Sequence, residues 1–118
     1  MERKPAETFK DLIVWQKAHE LVLSVYQLTR NFPKEETYGL TSQVRRSSTS
    51  VAANIAEAFK KRGPKDKLRM LNIAQGSLSE TEYHILLASD LKYADVNLIQ
   101  DNVEQVSRLL LAYMRAIK

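Results

Sequence analysis

Apolar residues in this chain recur at spacings of three and four, the period of one face of an α-helix. No stretch holds the strict alternation of a half-buried strand. The pattern falls into four blocks. In the first, Trp15, Ala18, Val22, Val25 and Thr29 form a stripe that Leu21, Tyr26 and Leu28 widen. Asp11 is a good N-cap ahead of it, and Phe32-Pro33 stops it, because the residue before a proline is pushed out of the α region. A helix over about 11–31 is expected.

The second block carries Leu40, Val44, Ser47 or Ser48, Val51, Ile55 and Phe59, with small residues crowding its middle, and predicts a helix over about 38–62. Small side chains let a neighbouring helix approach closely. Gly63-Pro64 closes this helix and opens the next, since glycine suits the end of a helix and proline its first turn. The third helix, about 64–93, shows Leu71, Ala74, Leu78, Thr81, Ile85 and Ala88, and its internal Gly76 reads as a close helix crossing. Asp95 is the N-cap candidate for a fourth helix over about 95–117, where Ile99, Val103, Val106, Leu110, Tyr113 and Ile117 alternate spacings of four and three.

Short connections between long helices place sequence neighbours antiparallel. The expected architecture is therefore all-α: an up-down-up-down four-helix bundle over residues 11–118, preceded by a flexible N-terminal arm over residues 1–10. Val14, Leu23, Leu98 and Leu111 lie off the main stripes, and the five tyrosines exceed what one narrow seam needs. Such spare apolar surface is expected to support self-association, against the alternative of scattered surface apolars.

Composition changes the picture in three ways. The 118 residues suit one domain, and only three Gly and three Pro favour long helices over an all-β fold. The absence of Cys excludes disulfides, thiolate metal sites and cysteine nucleophiles. No apolar run approaches the roughly 18 residues a membrane span needs, and the polar Met1–Pro5 has no signal-like apolar run behind it, so a cytoplasmic protein is the expectation.

Net charge is +4, but its placement matters more. Lys60, Lys61, Arg62, Lys65, Lys67 and Arg69 stand against the single acid Asp66, so this segment carries +5 and the rest of the chain −1. It reads either as a solvated helix–helix loop or as a contact for a polyanion, with Arg45 and Arg46 as further candidates.

Catalytic chemistry finds little support. A di-iron bundle needs paired Glu-x-x-His motifs, whereas this chain has only His19 and His84, and Glu80 stands four before His84. No serine sits in a strand-to-helix elbow and no Gly-rich phosphate loop is present, so no enzyme, metal, cofactor or small-molecule substrate is expected. Polar residues on helix-packing positions, Arg46, Asn54, Glu57 and Glu80, read as a structural network that fixes register or a subunit contact.

Trp15-Gln16-Lys17-Ala18-His19-Glu20-Leu21, Phe32-Pro33-Lys34-Glu35-Glu36, Tyr38-Gly39-Leu40, Gln43-Val44-Arg45-Arg46, Ser50 through Glu57 and Ala74-Gln75-Gly76-Ser77-Leu78 together resemble the four-helix-bundle proteins encoded in intervening sequences of bacterial 23S rRNA genes. Two departures stand out. Ala58 replaces a usual Gly, and Glu80-Thr81-Glu82 replaces a usual Glu-Leu-Glu. The resemblance implies a homo-pentamer around a central channel. It is also similar to the accessory variability determinant protein of diversity-generating retroelements, which implies a basic barrel working with nucleic acid. Two functions of different class follow: an oligomeric module that binds RNA or DNA phosphates, or an oligomeric scaffold that docks a protein.

Overall fold

The computed structural model describes residues 4–118, and the first three residues of the expected arm lie outside them. Among the described residues there are four α-helices and no strand. They are α1 (Ile13–Thr29), α2 (Leu40–Lys60), α3 (Pro64–Asp90) and α4 (Asn97–Ala116), with one-turn 3-10 segments at Phe9–Asp11 and Lys34–Glu36.

Asp11 does not cap α1. Its carboxylate accepts the N–H groups of Glu7 (2.9 Å) and Thr8 (3.1 Å), closing the 3-10 turn, and α1 begins two residues later. Those two bonds hold the Asp11 carboxyl below its ordinary pKa. The turn sits against α1. Phe9 meets Trp15 edge-on at 4.9 Å, Trp15 stacks on His19 at 5.0 Å, and the Gln16 amide donates to the Lys10 carbonyl at 2.8 Å. Part of the expected arm is thus a packed turn.

One core runs through all four helices, with Leu21, Val25, Val51, Ile55, Leu71, Ile85, Val106 and Leu110 fully buried. Val14, off the stripe in the sequence reading, belongs to it at 4% exposure, whereas Leu23, Leu98 and Leu111 face solvent. A second cluster of Phe32, Leu40 and Ala88 seals one end, with Tyr93 against Phe32 at 5.5 Å.

Each helix touches two neighbours, in the cycle α1–α2–α3–α4–α1. The α2–α3 contact is the most extensive and the α3–α4 contact the least. Across the first, Ser50 faces Ser77 and Ser47 faces Thr81, so numbers rise on α2 as they fall on α3 and the two helices run antiparallel. Gly76 corrects the sequence reading. No atom lies within 4 Å of where its Cβ would stand, so it marks no close crossing.

The ends have local causes. Glu36 accepts the first N–H of α2, from Leu40, at 3.1 Å, which sets that start. The α3 terminus bends because Lys92 adopts φ 62°, and the N–H groups of Lys92 and Tyr93 return to the carbonyls of Ser89 and Ala88. Asp95 accepts the Asn97 N–H at 3.1 Å ahead of α4. No helix among the described residues is long and apolar enough to cross a membrane.

Candidate nucleic-acid interface

The basic segment lies at the α2–α3 connection, and the structure divides its six cations by role. Gly63 is extended, which lets Pro64 start α3 and folds Lys67 back over the end of α2. The Lys67 ammonium donates to the carbonyls of Ala58 (3.2 Å) and Phe59 (3.1 Å) and lies 5.7 Å from the Phe59 ring. It therefore joins the Lys61 N–H on the Ala58 carbonyl and satisfies the Phe59 carbonyl at the negative end of α2. Lys67 thus caps the end of α2. Lys61 pairs with Glu57 at 3.8 Å and Arg69 with Asp66 at 4.0 Å; both are exposed pairs of the weak kind. Lys60, Arg62 and Lys65 are exposed and pair with no carboxylate among the described residues.

Arg45 and Arg46 stand near the other end of α2. The rise of about 1.5 Å per residue puts Arg45 roughly 22 Å from Lys60 along the helix axis. The eight candidate cations do not form one patch. Arg45 is half-buried: its Nε donates to Thr29 Oγ1 at 2.8 Å and its guanidinium lies 4.5 Å above the Tyr26 ring. Arg46 is exposed.

The polar seam between α2 and α3 differs from the expected one. Asn54 belongs to it, donating to the carbonyl of Ser50 (2.8 Å) and to its hydroxyl (3.0 Å). Its other members are Ser50 with Ser77 at 2.8 Å, Ser47 with Thr81 at 2.8 Å, and His84 at 3.5 Å from Ser47. Arg46, Glu57 and Glu80 are exposed and make none of these bonds. A hydroxyl seam needs no charge desolvated, which is the physical reason it can be buried where a carboxylate could not. Thr81, which stands where the resembling family usually has Leu, supplies one side of it. Among the described residues no buried side-chain nitrogen or oxygen lacks a partner. The signal in the sequence was present: Ser47, Ser50 and Asn54, and Ser77, Thr81 and His84, each step by three or four on one face.

Ser47 is the one hydroxyl near a histidine in this seam, and it is buried and engaged with Thr81. Among the described residues no three His, Asp or Glu side chains converge as a metal would require.

The family described as 23S rRNA-intervening sequence protein matches residues 10–112 of the chain. Among solved structures, the fold is similar to that of a protein of unknown function from the S23 ribosomal protein family of Bacteroides thetaiotaomicron. The two are 28% identical with a TM-score of 0.82, over 91% of this chain and 99% of that one. No curated protein matches.

Proposed function

The chain belongs to the 23S rRNA-intervening sequence protein family, and from that premise we propose that it is a non-enzymatic, cytoplasmic, up-down-up-down bundle that self-associates and binds RNA or DNA phosphates. A ring of five protomers is what the resemblance implies. The observation that carries the reading is the trio Lys60, Arg62 and Lys65: exposed, unpaired among the described residues, and gathered at one helix connection. Phosphates would displace counterions there, so binding is electrostatic, weakens steeply with salt and reads no sequence. Several copies in one assembly would raise a weak site by avidity.

The test is fluorescence anisotropy with a labelled RNA hairpin at low and high salt. Reversing Lys60, Arg62 and Lys65 to Glu should lower the low-salt affinity at least about tenfold. An unchanged affinity would sink the reading. The scaffold alternative draws on Tyr83 and Leu86, both about half exposed beside α4. It predicts salt-independent capture of one defined protein and no RNA response. Light scattering tests the assembly; a protomer mass of 13.5 kDa at all concentrations would end the ring proposal.

A further inference from the structure

We infer that the corner where the start of α2 meets the second half of α1 is a subsite for single-stranded nucleic acid, with a phosphate on Arg45 and Arg46 and the adjoining base stacked on Tyr38. This rests on the reading of the chain as a nucleic-acid binder and goes beyond it by naming a second place, a ligand form and an aromatic contact.

Arg45 carries the argument. Most surface arginines are mobile or paired with an acid. This one is locked from two sides: Nε to the Thr29 hydroxyl at 2.8 Å, and the guanidinium over Tyr26 at 4.5 Å. Thr29 is buried, and its hydroxyl donates in turn to the Val25 carbonyl at 2.8 Å, so the lone pair facing Arg45 is fixed. Among the described residues no carboxylate pairs with Arg45 or Arg46. A guanidinium held in place with its terminal amino groups unspent has already lost the side-chain freedom that anion binding would remove. Its planar fork suits a phosphate.

Around it lies a hollow of about 390 Å³, edged by Tyr26, Tyr38, Thr41, Arg46 and Thr49. That is on the scale of small-ligand sites, roughly 300–1,000 Å³. Tyr38 is 95% exposed, an aromatic ring with almost no packing of its own. The neighbouring Glu36 keeps its negative charge, but its two oxygens are turned to the Leu40 N–H and the Tyr93 hydroxyl and it pairs with neither arginine. The positive end of α2 begins two residues after Tyr38. Cation plus open aromatic face is how single strands are held, because a base inside a duplex has no face left to stack.

The experiment uses the full chain, a labelled oligothymidylate of about twelve nucleotides and an RNA duplex at low salt. Tyr38→Ala should weaken single-strand binding about tenfold and leave duplex binding unchanged. Tyr38→Phe should retain binding, since stacking needs only the ring. Arg46→Ala should weaken single-strand binding in the same direction. Tyr38 and Arg46 are exposed, so unchanged thermal unfolding is expected of these variants. If Tyr38→Ala binds the single strand as the parent does while the Lys60, Arg62 and Lys65 reversal abolishes binding, the subsite fails and the broader reading stands. If no variant and no salt concentration changes either affinity, both fail. Displacement of the oligothymidylate by polyglutamate at equal charge as readily from the parent as from Tyr38→Ala would also overturn the subsite, because that ligand has no base to stack.

Discussion

On the flank of α3 that faces α2, Ser77, Thr81 and His84 each reach a side chain of the neighbour, and Lys67 clasps its end. On the flank that faces α4, Gly76 meets nothing within 4 Å, and clefts of about 480 and 500 Å³ run along the surface past Asn72, Ser79, Glu82 and Val103. One helix thus carries two kinds of joint. Hydrogen bonds are directional and fix register on the first flank. The second is joined by apolar contacts around Val103 and Val106, which hold without specifying position so sharply. The lesson is that stiffness and spare surface are separated by half a helix turn, and the spare surface is where another molecule has room.

The contrast can be broken most forcefully from the core side. Ile55→Ala, at a fully buried position on α2, should lower the unfolding free energy by about 2–5 kcal/mol in urea titrations. A loss below about 1 kcal/mol would mean that α2 is not anchored as its burial implies. Thr81→Val isolates the hydroxyls. It leaves shape nearly intact and removes one partner of Ser47, whose bond to the Val44 carbonyl remains, so a loss of about 0.5–1.5 kcal/mol is expected, and Ser47→Ala in the Thr81→Val background should cost less than Ser47→Ala alone. Additive losses would show that the two hydroxyls do not act together.

Gly76→Ala probes the open flank and should go the other way, raising stability by about 0.5–1 kcal/mol, because the methyl meets no neighbour and the helix gains propensity. A protein that is instead less stable or less associated would place another copy against Gly76.

The smallest effect is at high pH. The Tyr93 hydroxyl donates to Glu36 at 2.8 Å, and that bond, then burial, raises the phenol above its ordinary pKa. The neutral phenol is the favoured form in the folded chain. Its contribution is therefore complete below the unfolded pKa, near about 10, and fades as pH rises through the folded value. Tyr93→Phe should flatten the alkaline limb of thermal stability; an unchanged limb would mean that other groups set it.

The four helices were legible in the sequence because period and punctuation agree: Phe32-Pro33 and Gly63-Pro64 stop chains whose stripes already point inward. Their ends were less legible. Lys92 takes a left-handed conformation that glycine would advertise and lysine does not, so α3 ends three residues before the expected Tyr93. Spacing along the sequence points to the charged Arg46, Glu57 and Glu80 for the polar seam, whereas short hydroxyls become partners only once two helices are set in register. Lys67 looked like surface charge because sequence spacing alone does not reveal a side chain folded back across a Gly-Pro hairpin onto carbonyls eight and nine residues earlier. Arg45 and Arg46 were legible as cations. The ring under Arg45 and the bare Tyr38 beside it needed the fold.

Trp15 is the only tryptophan in the chain, and it lies between Phe9 of the N-terminal turn and His19 of α1. Its indole emission, excited apart from that of the five tyrosines, therefore speaks for that corner. Release of the Thr8–Asp11 turn would shift the fluorescence while the helical circular dichroism stayed level, and rupture of the α2–α3 seam would reach the indole only after it had travelled through the core.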